Sequence, residues 1–126
     1  MVGTKGVSSP VAITTGGEDG VIGIANFKKI IDQNPDSIQL IDVRDKEEYA
    51  AGHIKSAINI PTDDLEKKIK SLSDNKPIVF VCNTGARSGE AYYMLQDLRP
   101  DLKKVFYLDA ECTYNKDFTY QIKNPK

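Results

Sequence analysis

The stretch Val79-Phe80-Val81-Cys82-Asn83-Thr84-Gly85-Ala86-Arg87-Ser88-Gly89 decides how the chain is read. Pro77 leads into Ile78 to Cys82, a short apolar run rich in β-branched residues that predicts a buried strand. Asn83 to Arg87 follow as a Gly-containing loop, and Ser88 to Leu98 read as a helix. Strand, tight loop and helix in succession build an open α/β sheet, whose ligand crevices lie at the carboxyl ends of its strands. Cys82 stands at that end.

Toward the N-terminus, Phe27, Ile30 and Ile31 predict a helix from about Ala25 to Gln33, stopped by Asn34 and Pro35. Ile38 to Val43 reads as a second buried strand. Lys46 to Ala51 then suits one or two helical turns, with Asp45 as N-cap, Glu47 and Glu48 near the positive helix end, and Gly52 closing it. Ala57 to Ile60 is a brief apolar segment ended by Pro61, and Leu65, Ile69 and Leu72 give one face of a helix that begins at Thr62. Val105 to Leu108 is the last core strand. Beyond it, Cys112 to Tyr114 and Thr119 to Ile122 flank the turn-prone Asn115, Lys116 and Asp117 and predict a hairpin. Strands alternating with helices predict a mainly parallel sheet with helices on both faces. Residues 1–20 read as a flexible extension, and residues 21–126 as one domain whose hairpin region covers about 105–122.

Composition narrows the function. The 126 residues are 40% apolar and 28% charged, the balance of one small globular domain. Seventeen basic against eighteen acidic side chains leave a net charge of -1, so nucleic acid and anionic membranes are not expected partners through bulk charge. Apolar runs fall far short of the roughly 20 residues that span a bilayer. No signal peptide is visible, and the compartment stays open between the cytoplasm and an exported site reached by a processed chain. Two cysteines and one histidine, with no CxxC or HxxxH spacing, argue against structural zinc, which would need carboxylates as well, and no metal or other cofactor is expected.

Cys82 therefore carries the chemistry or simply ends a strand as a small buried apolar residue. The first reading is favoured by its neighbours. A helix N-terminus, unpaired amides and the guanidinium of Arg87 all stabilise a thiolate, the nucleophilic form of cysteine. Gly85 allows the backbone to curl so that successive amides point inward as an anion nest.

Two ordered motifs resemble the rhodanese homology domain. Leu40-Ile41-Asp42-Val43-Arg44, Glu48-Tyr49, Gly52-His53-Ile54 and Ala57-Ile58-Asn59-Ile60-Pro61 are similar to the first signature of that family, and Cys82-x-x-Gly85-x-Arg87-Ser88 to its active loop. The resemblance covers about Ile22 to Leu108. It implies a three-layer α/β sandwich around a five-stranded parallel sheet, and a sulfurtransferase whose cysteine takes sulfane sulfur from a donor and passes it on as a persulfide. Cys82 would be the nucleophile, with Arg87 stabilising negative charge and Asn83, Thr84, Gly85, Ala86 and Ser88 binding the substrate. The partners implied are a small sulfur-containing anion and an acceptor: a thiol, cyanide or a protein. Because Asn83, Thr84 and Ala86 are uncharged, polysulfide or a protein persulfide suits the loop as well as thiosulfate does.

A non-catalytic rhodanese-like binding module is the alternative, and cysteine phosphatase or arsenate reductase a further one. The related phosphatases have a loop one residue longer than the four residues between Cys82 and Arg87, which favours sulfur transfer. Around the loop, His53 is expected to order its segment by hydrogen bonding. Asp42 is expected to orient the active loop. Arg44 either helps attract the anion or pairs with Glu48, four residues on. Cys112 is either a packed hairpin residue or a second thiol for a relay. The chain departs from the family in having Ser56 where glycine is usual, and Asp109-Ala110-Glu111-Cys112 with no tryptophan where a Gly-Gly segment and a tryptophan-containing helix are usual.

Overall fold

The computed structural model describes Ile13 and residues 20–124. The expected N-terminal extension therefore lies outside the described residues, apart from Ile13 and Gly20. Ile13 is half-buried against the core.

The order of elements is α1 (Ile24–Gln33), β1 (Gln39–Asp42), α2 (Lys46–Ala51), β2 (Ile58–Asn59), α3 (Thr62–Lys68), β3 (Ile78–Val81), α4 (Ala86–Leu98), β4 (Val105–Tyr107), β5 (Glu111–Tyr114) and β6 (Tyr120–Lys123). Strands β2, β1, β3 and β4 lie side by side in that order, all parallel, and β5 and β6 form a separate antiparallel hairpin. The hairpin spans 111–123, so β4 belongs to the main sheet rather than to the hairpin region expected over 105–122.

Among the described residues the main sheet has four strands, not five. Val21 makes a single parallel bridge to Tyr107, with Tyr107 N–H donating to Gly20 O and Ile22 N–H to Tyr107 O. Gly20 turns the chain with φ +81°, and Gly23 already caps α1, so too few extended residues remain between them for a strand.

All four residues of β3 are buried, as its unbroken apolar run requires of a strand covered on both faces. Ile78, Phe80 and Cys82 share one cluster with Leu65 and Ile69 from the α3 region and Ala91 and Leu95 of α4. Val79 and Val81 belong to the opposite cluster with Phe27, Ile30 and Ile31 of α1 and Ile122 of β6. Truncating the fully buried Phe80 to alanine would cost about 3–5 kcal/mol. The period-two alternation of the strand thus assigns Cys82 to the α4 side before the loop begins.

The helix expected through Leu72 stops at Lys68 and tightens into a 3-10 turn over Ile69–Ser71, which keeps Ile69 in the core. Helix α2 has its expected Asp45 N-cap, with Glu48 Oε1 accepting from the Asp45 N–H at 3.1 Å.

Candidate active site

Residues 82–85 leave β3 and deliver the chain to α4. Gly85 is the N-cap of α4 with φ +97°, a left-handed conformation that side chains resist, and a Cβ there would stand 2.5 Å from Asp109 Oδ1. The turn aims amides at the cysteine: Gly85 N–H donates to Cys82 Sγ at 3.0 Å and Ser88 N–H at 3.4 Å. Ser88 is fully buried, lies 3.5 Å from the sulfur through Oγ, and donates its hydroxyl to Leu108 O at 3.1 Å.

Cys82 is only 1% exposed, and burial pushes its thiol upward. The Ser88 hydroxyl and the amides of Ser88, Thr84 and Gly85 outweigh that penalty, and the net result lies below the ordinary thiol value. Arg87 is coupled to this sulfur through its charge. Its Nη1 meets Glu48 Oε1 at 2.6 Å, and its Nη2 meets Glu48 Oε2 and Asn83 Oδ1, both at 3.0 Å. The guanidinium therefore ties the loop to α2, while dipoles within the loop hold the sulfur.

Arg44 pairs with Asp42, not with Glu48. Its Nη2 lies 2.8 Å from Asp42 Oδ2 and 2.7 Å from Gly52 O, and its Nε donates to Asp42 Oδ1 at 3.0 Å. Both residues are buried, and Glu48 is committed to Arg87. The carboxylate of Asp42 bonds to Arg44, so it acts on that neighbour rather than directly on the loop. His53 Nδ1 lies 2.8 Å from Tyr49 O, and its ring stacks on that of Tyr49.

The loop also has a contact that sequence patterning does not reveal. Tyr114 of β5 donates its hydroxyl to Cys82 O at 2.7 Å, and its ring lies 4.4 Å from the Arg44 guanidinium carbon. Strand alternation puts Tyr114 on the same face of β5 as Cys112, but carries no signal for its partner 32 residues back. Cys112 N–H donates to Asn83 O at 2.8 Å. Burial raises the Cys112 thiol to about 11. Asn83, Thr84, Cys112 and Lys123 help line a polar cavity of about 340 Å³ between the loop and the hairpin. Among the described residues, no group of three or more His, Cys, Asp and Glu side chains is arranged to hold a metal ion.

Strand, cysteine loop and helix on a parallel sheet define the class, and the model of the Rhodanese-like domain matches residues 24–112. The chain belongs to that family. Among its curated relatives, YtwF of Bacillus subtilis is 39% identical over 67 residues, 53% of this chain and 64% of that protein. The thiosulfate sulfurtransferase PspE of Escherichia coli is 35% identical over 60 residues, 46% of this chain and 58% of that one. The match therefore spans less than two thirds of either relative. In structure, the chain is similar to a rhodanese-related protein of Thermoplasma volcanium, with a TM-score of 0.57, 28% identity, and 68% of this chain and 78% of that one covered. No helix among the described residues is long and apolar enough to cross a membrane.

Proposed function

We propose that the chain is a sulfurtransferase that carries sulfane sulfur on Cys82. The observation that carries this reading is the convergence of the Gly85 and Ser88 amides and the Ser88 hydroxyl on one sulfur atom at the mouth of a buried strand. A cysteine kept only for packing has no need of three polar groups around its sulfur.

In the first half-reaction the Cys82 thiolate attacks the outer sulfur of thiosulfate, a polysulfide or a persulfide. A bond forms from Sγ to that sulfur, the S–S bond of the donor breaks, and its electron pair leaves on sulfite, a shortened polysulfide or a thiolate. Amides between Asn83 and Ser88 hold the developing negative charge, and Arg87 adds positive charge beside the cradle. In the second, an acceptor thiolate or cyanide attacks the outer sulfur of the Cys82 persulfide, and the broken bond returns its electrons to Sγ. Asp42, Arg44 and His53 support the surrounding segments. Membership of the family, and the activity named for PspE, support the same reaction class.

Intact-mass spectrometry tests the reading. Reduced protein treated with thiosulfate or polysulfide is expected to gain one sulfur, to lose it to cyanide, and to gain none as Cys82→Ser. Absence of loading with both donors would overturn the proposal and leave a binding module.

A further inference from the structure

We infer that Tyr114 is a positioning residue for Cys82, its hydroxyl pinning the peptide from which the amide cradle unfolds. The inference rests on the reading of Cys82 as the nucleophile, and begins from the hydrogen bonds at the end of β3. Inside the sheet, Phe80 O accepts from Leu108 N–H and Val81 O from Val43 N–H, both at 3.0 Å. One residue further on, the neighbouring strands no longer reach. Cys82 O and Asn83 O are the next two carbonyls, and buried backbone acceptors must find partners. The hairpin supplies both, through the Tyr114 hydroxyl and the Cys112 N–H.

These two bonds act where the chain turns away from the sheet. The Cys82–Asn83 peptide orients the segment whose Gly85 amide approaches Sγ at 3.0 Å, so its rotation moves the donors away from the sulfur. Tyr114 is itself held in place. Its ring is stacked by Arg44, which is fixed by Asp42 and Gly52 O, and its register partner on β6 is Tyr120. Among the described residues, a phenol OH in a fixed ring is thus the one side-chain donor on the carbonyl of the nucleophile.

Tyr114→Phe removes that donor and keeps the ring. The charged groups nearest the loop keep their partners, Arg87 with Glu48, Arg44 with Asp42 and Asp109 against Gly85, while the Cys112 thiol, which interacts with both the Tyr114 hydroxyl and Cys82, is removed by using one background for both proteins. The test is the pH profile of Cys82 alkylation by iodoacetamide, in a Cys112→Ser background so that one thiol reports, alongside sulfur loading and thermal melting. The Phe variant is expected to fold, to shift the alkylation midpoint upward by about one pH unit, and to load sulfur about tenfold more slowly near neutral pH. An unchanged midpoint with a lowered melting temperature makes Tyr114 a hairpin residue only and overturns the inference, as does loss of the native fold. A shifted midpoint in a protein that never takes up sulfur upholds the inference and removes the sulfur-transfer reading, so the two failures are distinguishable.

Discussion

Arg87 grips Glu48 through two parallel hydrogen bonds, 2.6 Å and 3.0 Å long, and so joins the cysteine loop to the first turn of α2. Glu48 also accepts from the N-cap amide of that helix, and one carboxylate serves both elements.

The pH dependence of this junction follows from its sign. Hydrogen bonding to Arg87 lowers Glu48 from 4.5 to about 2 in the folded protein. A carboxylate depressed on folding adds stability above its unfolded value, and loses it as the pH falls through its folded value. The stability gap between wild type and Glu48→Gln is therefore expected to be constant above pH ~5 and to shrink between about 4.5 and 2. Both partners are partly exposed, so the gap should be about 1 kcal/mol or less. Urea titrations across that range measure it, and a gap that widens in acid contradicts the assignment.

Gly85→Ala tests the loop geometry. The position combines φ +97° with a neighbour 2.5 Å from any Cβ, so alanine must strain the backbone and displace Asp109. A cost of about 1–3 kcal/mol is expected, with sulfur loading slowed at least about tenfold as the amide leaves the sulfur. Adding Asp109→Ala removes the collision but not the strain, and should restore only part of the stability. Full recovery in the double variant would show that the left-handed turn costs nothing here.

Ser88→Ala separates the hydroxyl from the amides. The change leaves Leu108 O without the hydroxyl donor and Sγ without its polar neighbour, at a cost of about 1–3 kcal/mol. Because the folded thiol lies below its ordinary value, ionisation adds stability that is complete above the unfolded pKa and lost as pH falls through the folded one. The variant should flatten that rise and move the alkylation midpoint of Cys82 upward. A midpoint unchanged in Ser88→Ala would leave the amides alone responsible.

Much of this arrangement is local and was legible in the residues. The strand through Cys82, the glycine turn, the Asp45 cap and the hairpin each follow from propensity and periodicity within a few positions. What escaped depends on contacts across the chain. Arg44 sits four residues before Glu48, spacing that suits a helical pair, yet it belongs to the segment before α2 and turns inward to Asp42. Glu48 is thereby left for Arg87. Tyr114 looks like any half-buried hairpin aromatic until the hairpin docks beside the loop. The missing fifth strand reflects the opposite limit: Val21 and Ile22 have strand residues, but Gly20 and the start of α1 leave them no length.

Cys112 gives the last prediction, because its chemistry differs from that of Cys82 despite a shared neighbourhood. Burial dominates its environment and drives the thiol to about 11, against the downward pull on Cys82. Near pH 7.5 almost none of it is thiolate, whereas attack on a persulfide or on iodoacetamide requires that form. Limited alkylation should therefore label Cys82 at least about a hundredfold faster than Cys112, as read by peptide mass spectrometry. Cys112→Ser keeps the amide that bonds Asn83 O, since that donor is backbone, and is expected to load sulfur within about twofold of wild type. A relay through Cys112 predicts the reverse: delivery to acceptors collapses in Cys112→Ser while the Cys82 persulfide still forms. Measuring loading and delivery separately decides between a packed thiol and a working one.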